Sequence, residues 1–531
     1  MIRVSQVKVE VTKDNFEALK EKTIAKLGIR YKTLKDLMIV KKSIDARDKN
    51  NVMFIYEVNV TVDNEDRLIK KLKSKDVSKV NEEVYEIPEH GDEILNKRPI
   101  VIGSGPCGLF CALTLAEAGF KPIVFERGER VEDRINTVEM FWKHGTLNTN
   151  SNVCFGEGGA GTFSDGKLNT LVSDKSGRIK KVFDTFIESG APVEIAYENK
   201  PHVGTDILRD VIINIRNRII KLGGEINYYS CLTGVNIVDN KIKSIVINKT
   251  KKIDCDVLVL ALGHSARDTI KMLYDKGIDM ESKPFAIGVR VQHPQKMIDE
   301  NQYGKYSEVL GHASYKLTHQ AKNGRGVYTF CMCPGGYVVD SSCEEGHLII
   351  NGMSYNKRDS ENANSAVVVT VNKEDLGDNP LDGLEFQRRL EALAYRKGNG
   401  KIPVQLWKDY KDNKESKEFK TIKPVFKGKY TFANLNEIFP YYINESLKEG
   451  IEEFNKKIKG FANDDAILAG VESRTSSAVR IIRNNNFVSN ISGIYPSGEG
   501  AGYAGGIVTS AIDGIKAAEC IIKKYNNEFL G

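Results

Sequence analysis

The stretch "RPIVIGSGPCGLFCALTLAEAGFKPIVFERGER", from Arg98 to Arg130, decides the fold. "PIVIG" (Pro99 to Gly103) reads as a short buried strand, and "GLFCALTLAEAG" (Gly108 to Gly119) reads as an apolar helix. Between them lies the turn Gly103-Ser104-Gly105-Pro106-Cys107-Gly108, and a second apolar strand ends in Glu126. A strand, a G-x-G-x-x-G turn, a helix and an acid closing the next strand are what a dinucleotide-binding α/β unit requires. In such a unit Gly103 permits the tight turn, Gly105 lets backbone approach a pyrophosphate, and Gly108 brings helix against strand. Pro106 and Cys107 belong to the same turn. Glu126 is expected to accept from ribose hydroxyls, which disfavours a 2′-phosphate at that position.

Two distant segments belong with this one. "CDVLVLALGHSARDT" (Cys255 to Thr269) is an apolar strand closing on Ala261 and Gly263. "GIYPSGEGAGYAGG" (Gly493 to Gly506) is a strand running into Gly498-Glu499, and Gly505, Gly506 and Ile507 then lead a helix. In that helix Val508, Ile512, Ile515, Ala518 and Ile522 recur at helical spacing. With Arg127 directly after the acid, these segments resemble the fingerprints of the glutathione-reductase-like superfamily, and the resemblance implies FAD. In that superfamily an acid at the position of Glu499 holds the ribityl chain. The following helix N-terminus faces the flavin, where its dipole stabilises negative charge. Glu499 stands where Asp is usual, one methylene longer. No second G-x-G-x-x-G marks a separate nicotinamide domain, so NADH or NADPH is expected only as a transient electron donor. No His or Cys stands in an attachment motif, so noncovalent FAD is expected.

"NVCFGEGGAGTFSDGKLNT" (Asn152 to Thr170) places four glycines between Gly156 and Gly161. The backbone of Gly159, Ala160, Gly161 and Thr162 is expected at the cofactor, and Arg134, earlier in the chain, is grouped with that set. This loop, with "KPHVGTD" (Lys200 to Asp206), "GVESRTSSAVRI" (Gly470 to Ile481) and "KKSIDARDK" (Lys41 to Lys49), resembles one family along the whole chain. It is the bacterial family of large, mostly uncharacterised FAD-dependent, or NAD(FAD)-utilising, dehydrogenases. Ala478 stands where that family often has Pro. The resemblance implies a flavin redox enzyme without naming its substrate.

The expected architecture is α/β. A GR2-type FAD-binding Rossmann-like domain is assembled from residues 97–275 and 463–531, with a β-rich substrate domain of residues 276–462 inserted. Residues 1–96 precede both as a ferredoxin-like α+β unit in β-α-β-β-α-β order, with Asp14 capping its first helix. No cysteine precedes Cys107, so that unit holds no iron–sulfur cluster.

At 531 residues the chain can bury two or three cores. A net charge of +6 is modest for this length and argues neither for nor against a polyanionic partner. No signal peptide and no membrane-spanning apolar run is read, and nine scattered cysteines without a C-x-x-C pair suit a reduced, cytoplasmic protein. Oligomeric state is left open.

Candidate reacting groups are Arg474, as a clamp for a substrate carboxylate or as a structural partner of Glu472, Lys167 beside Asp165, and His264 at a strand's C-terminal edge. Cys331 and Cys333 alternate on a strand and read as ordinary buried thiols, and no metal site is expected. The function expected is hydride exchange between a small organic substrate and flavin N5. The alternatives are an RNA-binding or RNA-modifying flavoprotein, motivated by the N-terminal unit, and a flavin monooxygenase.

Overall fold

The computed structural model describes residues 1–80, 84–170, 172 and 174–527. The N-terminal part runs β1 (Ile2–Glu10), α1 (Phe16–Leu27), β2 (Leu34–Asp45), β3 (Met53–Val62), α2 (Glu65–Leu72) and β4 (Val77–Lys79). Its strands pair antiparallel in the order β2-β3-β1-β4. In β1 the inward residues are Ile2 and Val4, then Val7 and Val9. A ladder irregularity between Val4 and Val7, with Gln6 at φ 56°, absorbs the one-residue change of phase. Asn15 caps α1 by accepting from Ala18 N at 2.8 Å. Asp14, the expected cap, instead accepts from Tyr56 Oη at 2.6 Å and Lys42 Nζ at 2.8 Å, because it precedes the cap position and faces the sheet.

Next come β5 (Glu93–Ile94), β6 (Ile100–Ile102), α3 (Pro106–Glu117), β7 (Ile123–Phe125), α4 (Val131–His144), α5 (Arg178–Glu188), α6 (Thr205–Lys221) and β8 (Glu225–Asn227). An antiparallel ribbon of β9 (Leu232–Val238), β10 (Lys241–Ile247) and β11 (Lys251–Asp254) leads into β12 (Leu258–Leu260) and α7 (Arg267–Asp275). β6 pairs parallel with β12 and β7, and β7 with β8. Every residue of β6 and β12 is buried. A parallel sheet covered on both faces has no polar side, which is why these strands read as unbroken apolar runs.

The chain then leaves this sheet. It forms β13 (Met280–Ser282), β14 (Phe285–Pro294), α8 (Gln295–Tyr303), α9 (Ser307–Leu310), β15 (Thr318–Gln320), β16 (Gly326–Cys333), β17 (Tyr337–Asp340), β18 (Ile350–Met353) and β19 (Asn362–Val371). After these come α10 (Asp382–Lys397), β20 (Ile402–Leu406), α11 (Trp407–Lys411), β21 (Phe426–Lys427), β22 (Tyr430–Phe432), α12 (Tyr441–Lys457), β23 (Ile467–Glu472) and β24 (Val479–Ile481). Seven strands in the order β15-β16-β19-β14-β23-β20-β22 make one sheet, antiparallel except at β20–β22. β23 fills the place between β14 and β20, so the seven-stranded sheet reaches Glu472. In β16 the ladder skips between Phe330 and Cys333 and Cys331 has φ 45°, so the simple alternation expected for Cys331 and Cys333 is interrupted.

β25 (Ile494–Pro496) pairs with β12 and completes the parallel sheet β25-β12-β6-β7-β8. α13 (Ile507–Ile522) then lies across α3, and β26 (Tyr525–Asn526) pairs with β5. A Cβ on Gly514 would overlap the Cys107 carbonyl oxygen, so glycine sets how closely the two helices cross.

Gly514→Ala is therefore expected to lower unfolding free energy by about 1–3 kcal/mol, read by urea denaturation. A second expectation concerns His293, which is fully buried in β14 and donates from Nε2 to the Phe461 carbonyl at 2.7 Å. Burial lowers its pKa from the ordinary 6.5 to about 4. The stability that a neutral His293 contributes is present above about pH 6.5 and is lost as pH falls through about 4. The loss amounts to about 3 kcal/mol, and a His293→Gln variant should lack that component when urea curves at pH 7 and pH 4 are compared.

Candidate functional site

The C-terminal ends of β6, β7, β12 and β25 converge, which is where ligands bind in open α/β sheets. At this edge the glycines divide into two kinds. A Cβ on Gly103 would overlap the Ala261 carbonyl, and one on Gly108 would overlap the Gly103 carbonyl. Internal packing alone demands these two glycines. Gly105 differs, since its nearest obstacle is the Gly159 Cα at 3.7 Å, an ordinary contact. For Gly505 nothing lies within 4 Å, and for Gly506 only Thr509 Oγ1 at 3.9 Å. None of these three needs a left-handed backbone, and Gly505 and Gly506 are exposed. The fold itself does not ask for glycine at these three positions, which lead into the N-termini of α3 and α13.

Glu126 stands at the end of β7 as expected, but it is buried and well supplied with donors. One carboxylate oxygen accepts from Ser104 N at 2.9 Å and Ser104 Oγ at 2.8 Å. The other accepts from Gly128 N at 2.9 Å and Gly156 N at 3.1 Å. It ties the glycine turn, the end of β7 and the Asn152–Thr170 loop together. A ribose hydroxyl would have to replace the Ser104 hydroxyl, the one side-chain donor of the four.

Arg134, grouped with the cofactor residues in the sequence, faces the other way. It is fully buried and donates to the carbonyls of Asn152 (2.8 Å), Val153 (2.9 Å), Glu157 (2.7 Å) and Gly159 (2.9 Å). Burial lowers its pKa to about 10, with Glu126 and Glu157 opposing that shift. Arg134 shapes the loop from beneath. Cys107 is likewise internal, packed against Gly498 and Gly514, and burial pushes its thiol well up. Thr162 is buried, with its hydroxyl donating to the Glu157 carbonyl at 3.3 Å. Ala160 is exposed, and Gly161 lies against Ile507.

Arg127 donates to Asp268 Oδ1 at 2.7 Å and Thr269 Oγ1 at 2.9 Å, with its guanidinium 4.5 Å from the Phe155 ring centroid. It opens onto a cleft of about 680 Å³ that Phe155, Ser265, Arg267, Cys343 and Glu344 also line. His264 Nδ1 lies 3.2 Å from Glu499 Oε1, joining the ends of β12 and β25 beside Gly263.

The other two reacting candidates have structural partners. Arg474 donates from Nε and Nη2 to Glu391 at 3.0 and 2.8 Å, from Nη2 to Glu344 at 3.2 Å, and from Nη1 to Cys343 Sγ at 2.9 Å. Its anticipated partner Glu472 pairs with Arg290 instead, at 2.9 Å. Lys167 donates to the Met332 carbonyl and lies 3.6 Å from Asp165, which also binds Arg358 at 2.6 Å. The sequence could not reveal Glu391, Glu344 or Arg358 as partners, because each lies more than eighty residues from the group it meets.

An FAD-dependent protein C-terminal domain profile matches residues 284–475, and an NAD(P)-binding Rossmann-like domain matches residues 101–151. A domain of unknown function matches residues 1–61. An uncharacterized protein of Clostridium beijerinckii is 50% identical over 534 residues, covering 99% of both chains. Among solved structures, L-proline dehydrogenase from P. horikoshii has a TM-score of 0.35 at 13% identity, covering 83% of this chain and 96% of that one. Glycine oxidase from Bacillus cereus has 0.31 at 13%, covering 82% and 97%. The flavin-dependent brominase Bmp2 has 0.38 at 13%, covering 80% and 78%. Among the described residues no helix is long and apolar enough to cross a membrane.

Replacing Arg134 by Met would strand four inward carbonyls. The expected loss is about 3 kcal/mol or more, measured by urea unfolding, with faster proteolysis inside residues 152–163.

Proposed function

This chain belongs to the family of its Clostridium beijerinckii relative, an FAD-dependent oxidoreductase family, and on that premise we propose that it exchanges hydride between a small organic substrate and noncovalently held FAD. The observation that supports this reading is the set Gly105, Gly505 and Gly506, where protein contacts leave a Cβ free, so that a close-lying ligand would account for glycine. When bound, the flavin supplies a two-electron acceptor at N5.

The residues that would hold it follow from the edge. Gly103 to Gly108, opening α3, would take the pyrophosphate at a helix N-terminus. Arg127 and the cleft beside it would take the adenosine end. The Glu499–His264 pair would face the ribityl hydroxyls. Gly159 to Thr162 and Gly505 to Ile507 would border the isoalloxazine, with the positive end of α13 favouring negative charge on its pyrimidine side. The substrate would lie between this edge and the seven-stranded sheet. Of the three expected reacting groups, His264, paired with Glu499, would meet ligand, while Lys167 and Arg474, held by Asp165 and Glu391, would act as positioning residues. In domain terms we assign residues 1–96 to a ferredoxin-like unit, 97–275 and 476–531 to the FAD unit, and 276–475 to the inserted substrate unit. A nicotinamide is proposed only as a transient donor.

Gly105→Ala and Gly505→Ala test the carrying observation. Each is expected to leave unfolding free energy within about 0.5 kcal/mol of the parent while weakening FAD binding tenfold or more in equilibrium dialysis. The parent protein should show flavin absorbance as purified, and anaerobic NADH or NADPH should bleach it. If neither the purified nor the FAD-reconstituted parent binds FAD, the reading is wrong.

A further inference from the structure

The motifs "KKSIDARDK" (Lys41 to Lys49) and "KPHVGTD" (Lys200 to Asp206) lie far apart in sequence and are brought together by the fold. β2 is an edge strand of the N-terminal sheet, so one side of its backbone lacks a partner within that sheet. Its ladder to β3 skips between Ile39 and Lys41, and past that bulge Lys42 turns its backbone to residues 197–199. Lys42 N donates to the Tyr197 carbonyl at 2.7 Å, and Asn199 N donates to the Lys42 carbonyl at 2.9 Å. The Lys42 side chain folds back onto its own unit, donating to Asp14 at 2.8 Å and lying over the Phe54 ring. What reaches across is bare backbone, a short parallel piece added to a sheet edge.

The segment that β2 holds runs directly into "KPHVGTD", where partners come from two further parts of the molecule. Toward the tail of the glycine loop, the Pro201 carbonyl accepts from Leu168 N at 2.9 Å and Val203 N donates to the Gly166 carbonyl at 3.0 Å. Toward the turn after β18, His202 Nε2 donates to the Asn356 carbonyl at 3.0 Å and Asp206 Oδ1 accepts from Asn356 N at 2.9 Å. Thr205 N donates to the Ser354 carbonyl at 3.1 Å. A Cβ on Gly204, which has φ 82°, would overlap Asn356 N, so glycine sets this close approach. The Thr205 hydroxyl donates to the Thr162 carbonyl, inside the set Gly159 to Thr162 that would border the isoalloxazine. Residues 197–206 are therefore bonded to the N-terminal sheet, the glycine loop and the inserted unit at once. The hairpin between β2 and β3 meets the inserted unit a second time, where Tyr306 Oη donates to the Asn50 carbonyl at 3.0 Å.

We propose that the N-terminal unit, matched over residues 1–61 only by a domain of unknown function, serves as a splint for the cofactor loop. The edge of β2 fixes residues 197–206, and these fix Gly159 to Thr162 through Thr205 and the loop tail through Pro201 and Val203. Lys42 and Asn199 are positioning residues, acting through main-chain groups on a site that neither touches. A loop already held in place has less freedom to lose when a ligand binds, so the splint raises cofactor affinity without contributing a contact. The coupling to FAD rests on the functional reading above, whereas the holding of the loop rests on these hydrogen bonds alone.

The test is amide hydrogen exchange of the full-length protein, read by mass spectrometry, with FAD affinity measured by equilibrium dialysis. Asn199→Pro removes the donor of one of the two backbone bonds at a position whose side chain is exposed, and Asn199→Ala keeps that N–H. Asn199→Pro should exchange about tenfold faster than the parent in residues 159–170 and 201–206, with α3 and α13 unchanged, and should bind FAD about tenfold more weakly. Asn199→Ala should match the parent in both measurements. Unchanged exchange in residues 159–170 of Asn199→Pro overturns the proposal, as does unchanged FAD affinity in that variant when the parent binds FAD. A parent that binds no FAD overturns the functional reading instead, and the exchange rates still decide the splint. Should Asn199→Pro fail to fold, exchange of the parent in low urea decides. Residues 41–45 and 201–206 are expected to open together with one urea dependence, and separate openings overturn the proposal.

Discussion

The site depends on how closely α13 lies on α3. Two glycines far apart in function but adjacent in space make that contact: Gly514 meets the Cys107 carbonyl, and Gly498 meets the Cys107 side chain. The crossing brings the turn at Gly498 to the turn at Gly103, across nearly 400 residues of intervening chain. Asp513, one residue before Gly514, accepts from Gly498 N at 2.7 Å and pairs with Arg483 at 2.8 Å. The helix, the turn before it and the strand exit are fixed as one piece. With α13 farther from α3, the two helix N-termini would no longer point into a common edge.

A second constraint comes from buried charge. Arg290–Glu472 and the Arg474–Glu391–Arg267 group lie inside the inserted sheet or at its margin, each with several hydrogen bonds. Pairs of this kind contribute little net stability, because desolvation offsets their attraction. Their effect is geometric, since a misplaced strand would leave an ion unpaired. Glu391 is the clearest case, receiving Arg474, Arg267 and the Ser473 hydroxyl. Through it, α10 sets where Arg474 ends up.

What the sequence discloses follows from this division. β6, the glycine turn, α3 and β7 are legible because local pattern determines them: doubly buried strands are apolar throughout, and the spacing of Gly103 and Gly108 reports backbone packing against Ala261 and the turn itself. α13 is legible because its apolar residues keep helical spacing. The direction in which Glu126 and Arg134 face is not legible. Both look like ligands for an incoming group, and only the course of the Asn152–Thr170 loop shows that its Gly156 N–H reaches Glu126 and its carbonyls reach Arg134. The extent of the inserted sheet is hidden for another reason. "ILAGVE" is a short buried run that suits either sheet, and pairing with β14 and β20 decides it. The phase changes at Gln6 and Cys331 come from bulges that no residue-type rule marks.

The burial of Arg134 has one more consequence. A guanidinium in a protein interior is usually neutralised by a carboxylate, but this one is solvated by four main-chain carbonyls. Those carbonyls all belong to the Asn152–Thr170 loop, so one buried cation gathers its peptide units around itself. The N–H ends of two of those units are taken up inside the protein as well, Cys154 N by Asn152 Oδ1 and Gly158 N by the Ser104 carbonyl. The loop's course is thereby held from within, by groups that solvent ions do not reach.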